Sequence, residues 1–146
     1  MAQPSIALAV TRSDGHRTLT WLALGALAVA LGLAVLGLPA VDLHGPLHRL
    51  GIMDPFCGGT RAARYTMLGQ FGLAWTYNPL GIAAVGAAGL LAVRASVGAA
   101  FHRWIHVQVT WTPRLRWLLV GLVVVVLMAL EARQQAIASL LMQGAP

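Results

Sequence analysis

The sequence predicts an all-α integral membrane protein with about three transmembrane helices and a short interfacial helix between the first and the second. Of its 146 residues, 58% are hydrophobic and 10% are charged, a balance outside the range of ordinary soluble domains. The mean hydropathy is +0.74, and the polar residues form short clusters between apolar segments. We therefore expect the lipid bilayer to be the main solvent of the chain.

The charge of the chain suits a membrane better than a nucleic acid. All ten basic residues are arginines, and with four acidic residues they give a formal net charge of +6. They flank the apolar segments, where arginine contacts anionic lipid headgroups and influences topology. We expect no nucleic-acid partner.

Three apolar segments divide the chain. A polar amino-terminal arm at residues 1–17 precedes a single helical membrane domain at residues 18–146. The spans are expected at about residues 18–38, 80–100 and 117–138, because crossing a bilayer takes about 20 residues of helix. The apolar run within the arm is too short for a signal peptide, so the first span is expected to remain as an anchor.

Small residues in the first two spans predict close helix packing. Glycine and alanine let helix backbones approach each other in lipid, although such residues are equally tolerated where a span faces lipid. The first span carries Gly25, Gly32 and Gly37, and the second carries Ala83, Gly86, Ala87 and Gly89.

The arginine distribution predicts an orientation. With three spans, the arm and the connector at residues 101–116 lie on the same side of the membrane. That side carries six of the ten arginines, so the positive-inside rule favours a cytoplasmic amino terminus. Arg94, within the second span, is counted on that side because its side chain is expected to reach the headgroups.

The segment at residues 53–77 combines a turn with a short helix. Gly58 and Gly59 permit a tight turn, and Thr60 is expected to cap the helix that follows. Apolar residues recur at helical spacing as far as residue 77, which favours a helix lying in the membrane interface.

The charged residues of this segment have two alternative roles. Arg61 and Arg64 lie three residues apart on one side of the helix. They either pair with Asp54 to fix the turn, which is the favoured alternative, or hold an anion such as a lipid phosphate. We predict that the motif anchors the protein through Asp54, Cys57, Gly58, Thr60, Arg61, Arg64, Asn78 and Pro79.

Part of this segment resembles a bacterial family of small membrane proteins of unknown function. The shared residues are Cys57-Gly58-Gly59-Thr60-Arg61-Ala62 followed by Asn78-Pro79-Leu80. The family signature is Cys-Pro-x-Cys-Gly-x-Thr-Arg-Ala with a downstream Asn-Pro-Leu, and here Asp54 stands at the position of the first cysteine. The resemblance implies a few-span protein of the bacterial plasma membrane and no established activity. Without the second thiol, a redox or metal role is not carried over.

Four histidines are the candidates for metal ligands. His44 and His48 are four residues apart, as are His102 and His106, a spacing that places two rings on one face of a helix. The three-span topology puts the two pairs on opposite sides of the membrane. Because a single pair without a nearby carboxylate or thiol is a poor site, we predict no metal and no cofactor.

The sequence contains no recognisable catalytic set. A Ser-His-Asp constellation, paired catalytic carboxylates and a nucleotide-binding glycine loop are all missing from it. We therefore expect a non-catalytic accessory or assembly subunit of a larger membrane complex, with other integral membrane subunits as partners. The alternatives are a metal-binding or thiol-redox protein acting through Cys57 and the histidines, and a small transporter component.

Overall fold

The computed structural model describes residues 5–38, 48 and 50–142. Among these residues, three helices are long and apolar enough to cross a membrane, which confirms the predicted fold class. These spans are α1, α4 and α5. In chain order the elements are β1 (Ser5–Thr11), α1 (Arg17–Leu36), α2 (Gly59–Met67), α3 (Phe71–Tyr77), α4 (Pro79–Phe101), β2 (Trp104–Thr110), α5 (Pro113–Ala136) and α6 (Ala138–Leu141).

Two of the spans begin at a capping residue followed by proline. Asn78 accepts a hydrogen bond from the Leu80 N–H at 2.9 Å and caps α4, as the dipeptide Asn78-Pro79 in the sequence indicates. Thr112 accepts one from the Leu115 N–H at 3.3 Å and starts α5 at Pro113, ahead of the expected residue 117. Proline fits the first helical position because its missing N–H would have no partner there.

The first two spans pack against each other, and their buried positions are small residues. This agrees with the expected role of small side chains in lipid, but the residues differ from those picked out by composition. A Cβ added to Gly25, Gly32, Gly86 or Gly89 would meet no described atom within 4 Å. The buried positions are instead Thr20, Ala23 and Ala30 in α1, with Gly81, Ala88, Ala95 and Gly98 in α4.

The amino-terminal arm and the second connector form a two-stranded sheet, which the sequence did not predict. Strand β1 pairs antiparallel with β2, in a register that runs from Ser5↔Thr110 to Thr11↔Trp104. The β2 sequence WIHVQVT is rich in β-branched and aromatic residues, which favour strands. The arm is therefore not a loose polar segment, and the pairing places it on the same side of the spans as the connector.

The predicted interfacial helix is two shorter helices, α2 and α3. They are separated at Gly69, which has a φ of +73°. The N–H groups of Gly69 and Gln70 bond to the carbonyls of Thr66 and Tyr65, the pattern of a glycine-terminated helix end. Thr60 is not the cap, because α2 already begins at Gly59 behind a left-handed residue and has no side-chain cap hydrogen bond.

The third span stands apart from the other two. Within the described part of the chain, α5 does not pack along α1 or α4. Its apolar window is 6% buried, against 17% for each of the other spans. Its buried residues, Leu130 and Gln134, lie near its carboxyl end, so the described residues cover this helix near that end and leave its middle uncovered.

Candidate functional site

The candidate site is the turn at residues 53–59, which precedes α2. Two backbone hydrogen bonds close it, from the Cys57 N–H to the Asp54 carbonyl at 3.1 Å and from the Gly59 N–H to the Phe56 carbonyl at 2.9 Å. Gly58 has a φ of +78°, and a Cβ there would lie 2.9 Å from Leu141 and 3.0 Å from a backbone oxygen. Conformation and space therefore both require glycine at this position.

Asn78 joins this turn to the second span. Its side chain is fully buried, and its amide nitrogen donates hydrogen bonds to the carbonyls of Pro55 and Cys57, each at 2.9 Å. Its amide oxygen caps α4 at the same time. One amide thus satisfies two turn carbonyls and one free helix N–H, the groups that are costly to bury without partners.

The end of the third span holds the turn from the other side. Gln134 is fully buried and donates to the carbonyls of Cys57 at 2.8 Å and Tyr77 at 2.9 Å. Gln135 donates to the Gly51 carbonyl at 2.8 Å and accepts from the Met53 N–H at 3.0 Å. The carbonyls of residues 57 and 77 therefore depend on a side chain far along the sequence.

Arg133 adds a third contact from the same helix end. Its guanidinium donates to the carbonyls of Trp75 at 2.6 Å and Thr76 at 3.2 Å. These carbonyls belong to the last turn of α3, where helix carbonyls lack intrahelical partners and a cation is favourable. The contacts of residues 133–135 fix the carboxyl end of α5 to the motif.

Cys57 lies at the centre of this arrangement with two other potential ligands. Its side chain is 4% exposed, and it packs with Met53 and Leu141 in a small apolar cluster. The Cys57 Sγ lies 3.2 Å from the Nδ1 of His48 and 3.5 Å from the Sδ of Met53. Burial raises the pKa of the Cys57 thiol, and the nearby Asp54 carboxylate raises it further.

The charged residues of the motif contact several elements. Asp54 accepts a hydrogen bond from the Phe56 N–H at 2.8 Å. Arg64 donates to the Leu33 carbonyl of α1 at 3.1 Å, and Arg61 lies over the Tyr77 ring. The turn is therefore held by amides, and Arg64 joins α2 to the first span.

The pair His102 and His106 does not lie on one helix, and the pair His44 and His48 falls partly outside the described residues. His48 lies beside Cys57, whereas His102 ends α4 and His106 lies in β2, at the opposite end of the spans. His44 lies outside the described residues. His106 contacts the ring of His16, with 4.5 Å between centroids. In the part of the chain that the structure describes, no group of three or more His, Cys, Asp and Glu side chains could hold a metal ion.

Arg94 has a specific partner at the sheet end of the spans. It forms an ion pair with Asp14 at 3.0 Å and donates to the Ile105 carbonyl at 2.8 Å. The Thr20 hydroxyl donates to the other oxygen of Asp14 at 2.6 Å. Arg94 therefore joins both packed spans to the sheet and does not serve only as a headgroup contact.

Sequence reasoning missed Gln134, Gln135 and Met53 as site residues. The available signal was the polar run EARQQ at the end of an otherwise apolar span, where amide side chains must find partners once the helix end is buried. The approach of His48 to Cys57 had no such signal, because nothing local distinguishes His48 from the other histidines.

Comparison with known proteins gives one match. A family model described as a protein of unknown function (DUF2752) matches residues 46–92, which contain the turn, both short helices and the first part of α4. No curated protein matches the chain, and no solved structure does. The chain is therefore similar, over less than half of its length, to a family of unknown function, and the match covers the candidate site.

Proposed function

We propose that the protein is a non-catalytic accessory or assembly subunit of a larger membrane protein complex. Its third span would be the docking element, and a transmembrane helix of another integral membrane protein would be its occupant. The observation that carries this proposal is the uncovered middle of α5. The resident membrane in this proposal is a bacterial plasma membrane, with the amino terminus in the cytoplasm.

The exposure of α5 extends to every face of the helix. All ten residues from 117 to 126 are exposed, including Leu118 at 71% and Val125 at 63%. Ten consecutive residues go around a helix more than twice. By contrast, α1 and α4 each have a buried face, so α5 has an apolar surface that the described residues leave uncovered.

The chemistry of this surface suits helix packing. From residue 117 to residue 130 the helix carries no charged side chain and includes four consecutive valines at positions 123–126. Valine in a helix is restricted to one preferred rotamer, so a partner helix would meet a surface with little side-chain freedom to lose. In lipid, association of this kind depends on packing because water is not released from the contact.

The attachment of α5 at its carboxyl end, with a short link to β2 at its start, supports a docking role over a simple lipid anchor. The motif holds its carboxyl end through residues 133–135, and β2 leads into its start through two residues. A helix held in this way keeps its position relative to α1 and α4. A partner helix would therefore bind a preformed surface and lose less free energy to ordering.

Photo-crosslinking in intact membranes tests the proposal. A photoreactive phenylalanine analogue is placed at Leu122, Val123 or Val125 in turn, with Leu90 of α4 as the matched control because it is 75% exposed on a span that has a packed face. We expect protein adducts from the α5 positions that map to a transmembrane helix of a different protein, and mainly lipid adducts from Leu90.

Two outcomes would contradict the proposal. Lipid adducts alone at every α5 position, together with a protein that elutes alone in several mild detergents, would leave α5 as a lipid-facing anchor. Crosslinks solely to a second copy of this chain would replace the accessory role by self-association.

Of the alternative functions, metal binding has a specific observation in its favour, which is the approach of His48 and Met53 to Cys57. A thiol-redox role would need a second thiol from another chain, since this one has a single cysteine. A transporter component would need a polar residue available within a span. Arg94 is a charged residue within the second span, but its guanidinium is engaged by Asp14 and Ile105.

A further inference from the structure

Two side chains of the motif bring potential ligand atoms close to the Cys57 thiol. They are the imidazole of His48 and the thioether of Met53. The Cys57 Sγ lies 3.2 Å from the His48 Nδ1 and 3.5 Å from the Met53 Sδ. With bonds of about 2.3 Å to sulfur and about 2.0 Å to nitrogen, these separations correspond to angles of roughly 95–100° at a shared ion.

We propose that His48, Met53 and Cys57 bind one copper(I) ion. Thiolate and thioether sulfur are soft ligands that select copper(I), and imidazole nitrogen also binds copper. None of the three side chains is a carboxylate, and the nearby Asp54 accepts a hydrogen bond from the backbone of Phe56. A hard cation such as magnesium or calcium would find no suitable oxygen ligand among these three side chains.

The charge of the site matches a monovalent ion. Metal binding replaces the thiol proton of Cys57, which is released to solvent, so copper(I) and the thiolate together are neutral. A divalent ion would leave one positive charge on these three ligands, and the nearby Asp54 carboxylate that could offset it is exposed to solvent. Met53 is 1% exposed and Cys57 is 4% exposed, and an unpaired charge is costly in such surroundings.

The protein holds the two sulfur ligands in place before any ion binds. The Cys57 carbonyl accepts hydrogen bonds from both Asn78 and Gln134, and the Met53 N–H donates to Gln135. Leu141, with Ile137 and Ala138, packs in the same apolar cluster as Met53 and Cys57. His48 is half-buried, which leaves the imidazole side as the route of entry.

This site differs from the histidine pairs that the sequence spacing suggested as metal ligands. Histidines spaced four apart suggested ligand pairs. In the structure, His48 lies beside Cys57, nine residues later, and Met53 lies beside the same thiol. The proposal does not depend on the docking role of α5, since its ligands belong to the motif.

The test uses the full chain, purified in detergent micelles without oxygen and titrated with copper(I) against the chromophoric chelator bathocuproine disulfonate. We expect one ion per chain. Met53→Leu and His48→Gln should each weaken binding at least about tenfold, and Cys57→Ser should abolish it. The matched controls are Met128→Leu and His102→Gln, which alter the same residue types away from the motif and should bind copper(I) as the parent does.

X-ray absorption of the copper-loaded parent protein identifies the ligand atoms directly. It does not depend on whether any variant folds. We expect a copper shell with two sulfur atoms and one nitrogen. Circular dichroism of each variant shows whether the helices are intact, and Met53→Leu nearly conserves side-chain volume.

Three results would overturn the proposal. One is less than stoichiometric copper(I) in the parent protein. Another is unchanged affinity in folded Met53→Leu and His48→Gln. The last is zinc(II) that binds at one per chain and displaces copper(I). Each is separable from a failure of the docking proposal, because crosslinking at α5 requires no metal.

Discussion

At the residue scale, Asn78 illustrates how one side chain serves two elements. Its oxygen caps α4, and its nitrogen donates to the carbonyls of Pro55 and Cys57. The sequence identified the capping role, because asparagine followed by proline is a strong helix-start signal. It gave no indication of the second role, because those carbonyls lie more than twenty residues earlier in the chain.

Asn78→Asp separates these two roles. Aspartate keeps the capping oxygen but loses the N–H donors and places a carboxylate against two carbonyls. We expect a loss of about 1–3 kcal/mol in the free energy of unfolding, since the Pro55 carbonyl loses its donor while the Cys57 carbonyl keeps the one from Gln134, and one buried acceptor without a donor costs about that much. Unfolding by sodium dodecyl sulfate in mixed micelles measures it. Thr76→Ala, which removes an exposed hydroxyl that bonds within its own helix, is the control and should change little; equal losses in both variants would contradict the assignment.

Asp14 is the corresponding residue at the sheet end of the spans. Burial alone would raise its pKa, but hydrogen bonds from Thr20, His16 and Arg94, with the Arg94 charge, lower it below the ordinary value of 3.8. A carboxyl whose pKa is lowered in the folded state contributes its full stabilisation at pH values above its ordinary pKa. That stabilisation is lost as the pH falls through the lowered value.

We therefore predict that Asp14→Asn destabilises the protein at pH 6 and that the difference from the parent shrinks below about pH 3.8. Detergent unfolding across this pH range is the measurement. Ser13→Ala next to it alters a side chain that is exposed and should give a difference that is independent of pH. If Asp14→Asn destabilises the protein equally at acid pH, the ion pair is not the cause of the effect.

At the element scale, the position of a glycine matters more than its presence. Gly81 of α4 lies against α2, where an added Cβ would stand 2.5 Å from the Ala62 Cβ and 3.0 Å from a backbone nitrogen. Gly86 lies on the same helix with open space around it. The sequence named Gly86 and not Gly81, because composition reveals small residues but not which face of a helix meets a neighbour.

The two glycines form a matched pair for substitution. Gly81→Ala should separate α4 from α2 and lower the free energy of unfolding by about 1–3 kcal/mol, the usual cost of overpacking. Gly86→Ala should be neutral or slightly stabilising, because alanine favours a helix more than glycine does. Detergent unfolding measures both, and similar values for the two variants would contradict the close contact between α2 and α4.

At the scale of the whole molecule, polar clusters hold the two ends of an apolar structure. The sheet-end cluster consists of Asp14, Thr20, Arg94 and the Ile105 carbonyl. The motif-end cluster consists of Asn78, Gln134 and the turn carbonyls. Between them, α1 and α4 pack together while α5 remains separate. The most exposed apolar surface therefore lies in the lipid-crossing part of the third span.

The orientation of these ends across the membrane is open to direct measurement. Cys57 is buried, so it is a poor reporter for thiol reagents. In a Cys57→Ser background, Ser13→Cys would report the sheet end and Thr60→Cys the motif end, since both positions are exposed. We expect an impermeant maleimide to label Thr60→Cys in spheroplasts and Ser13→Cys only after lysis. The opposite pattern would place the amino terminus outside the cytoplasm.

The sequence by itself determined the three spans, the Asn78 cap at the start of the second and the expectation that the arm and second connector share a side. These features follow from hydropathy, helix length and capping, which are properties of neighbouring residues. The tertiary structure decided the strand pairing of β1 with β2, the Asp14–Arg94 ion pair, the buried amides of Asn78 and Gln134, and the approach of His48 and Met53 to Cys57. Each joins groups that must find a partner when water is excluded, and the identity of that partner depends on which parts of the chain folding brings together.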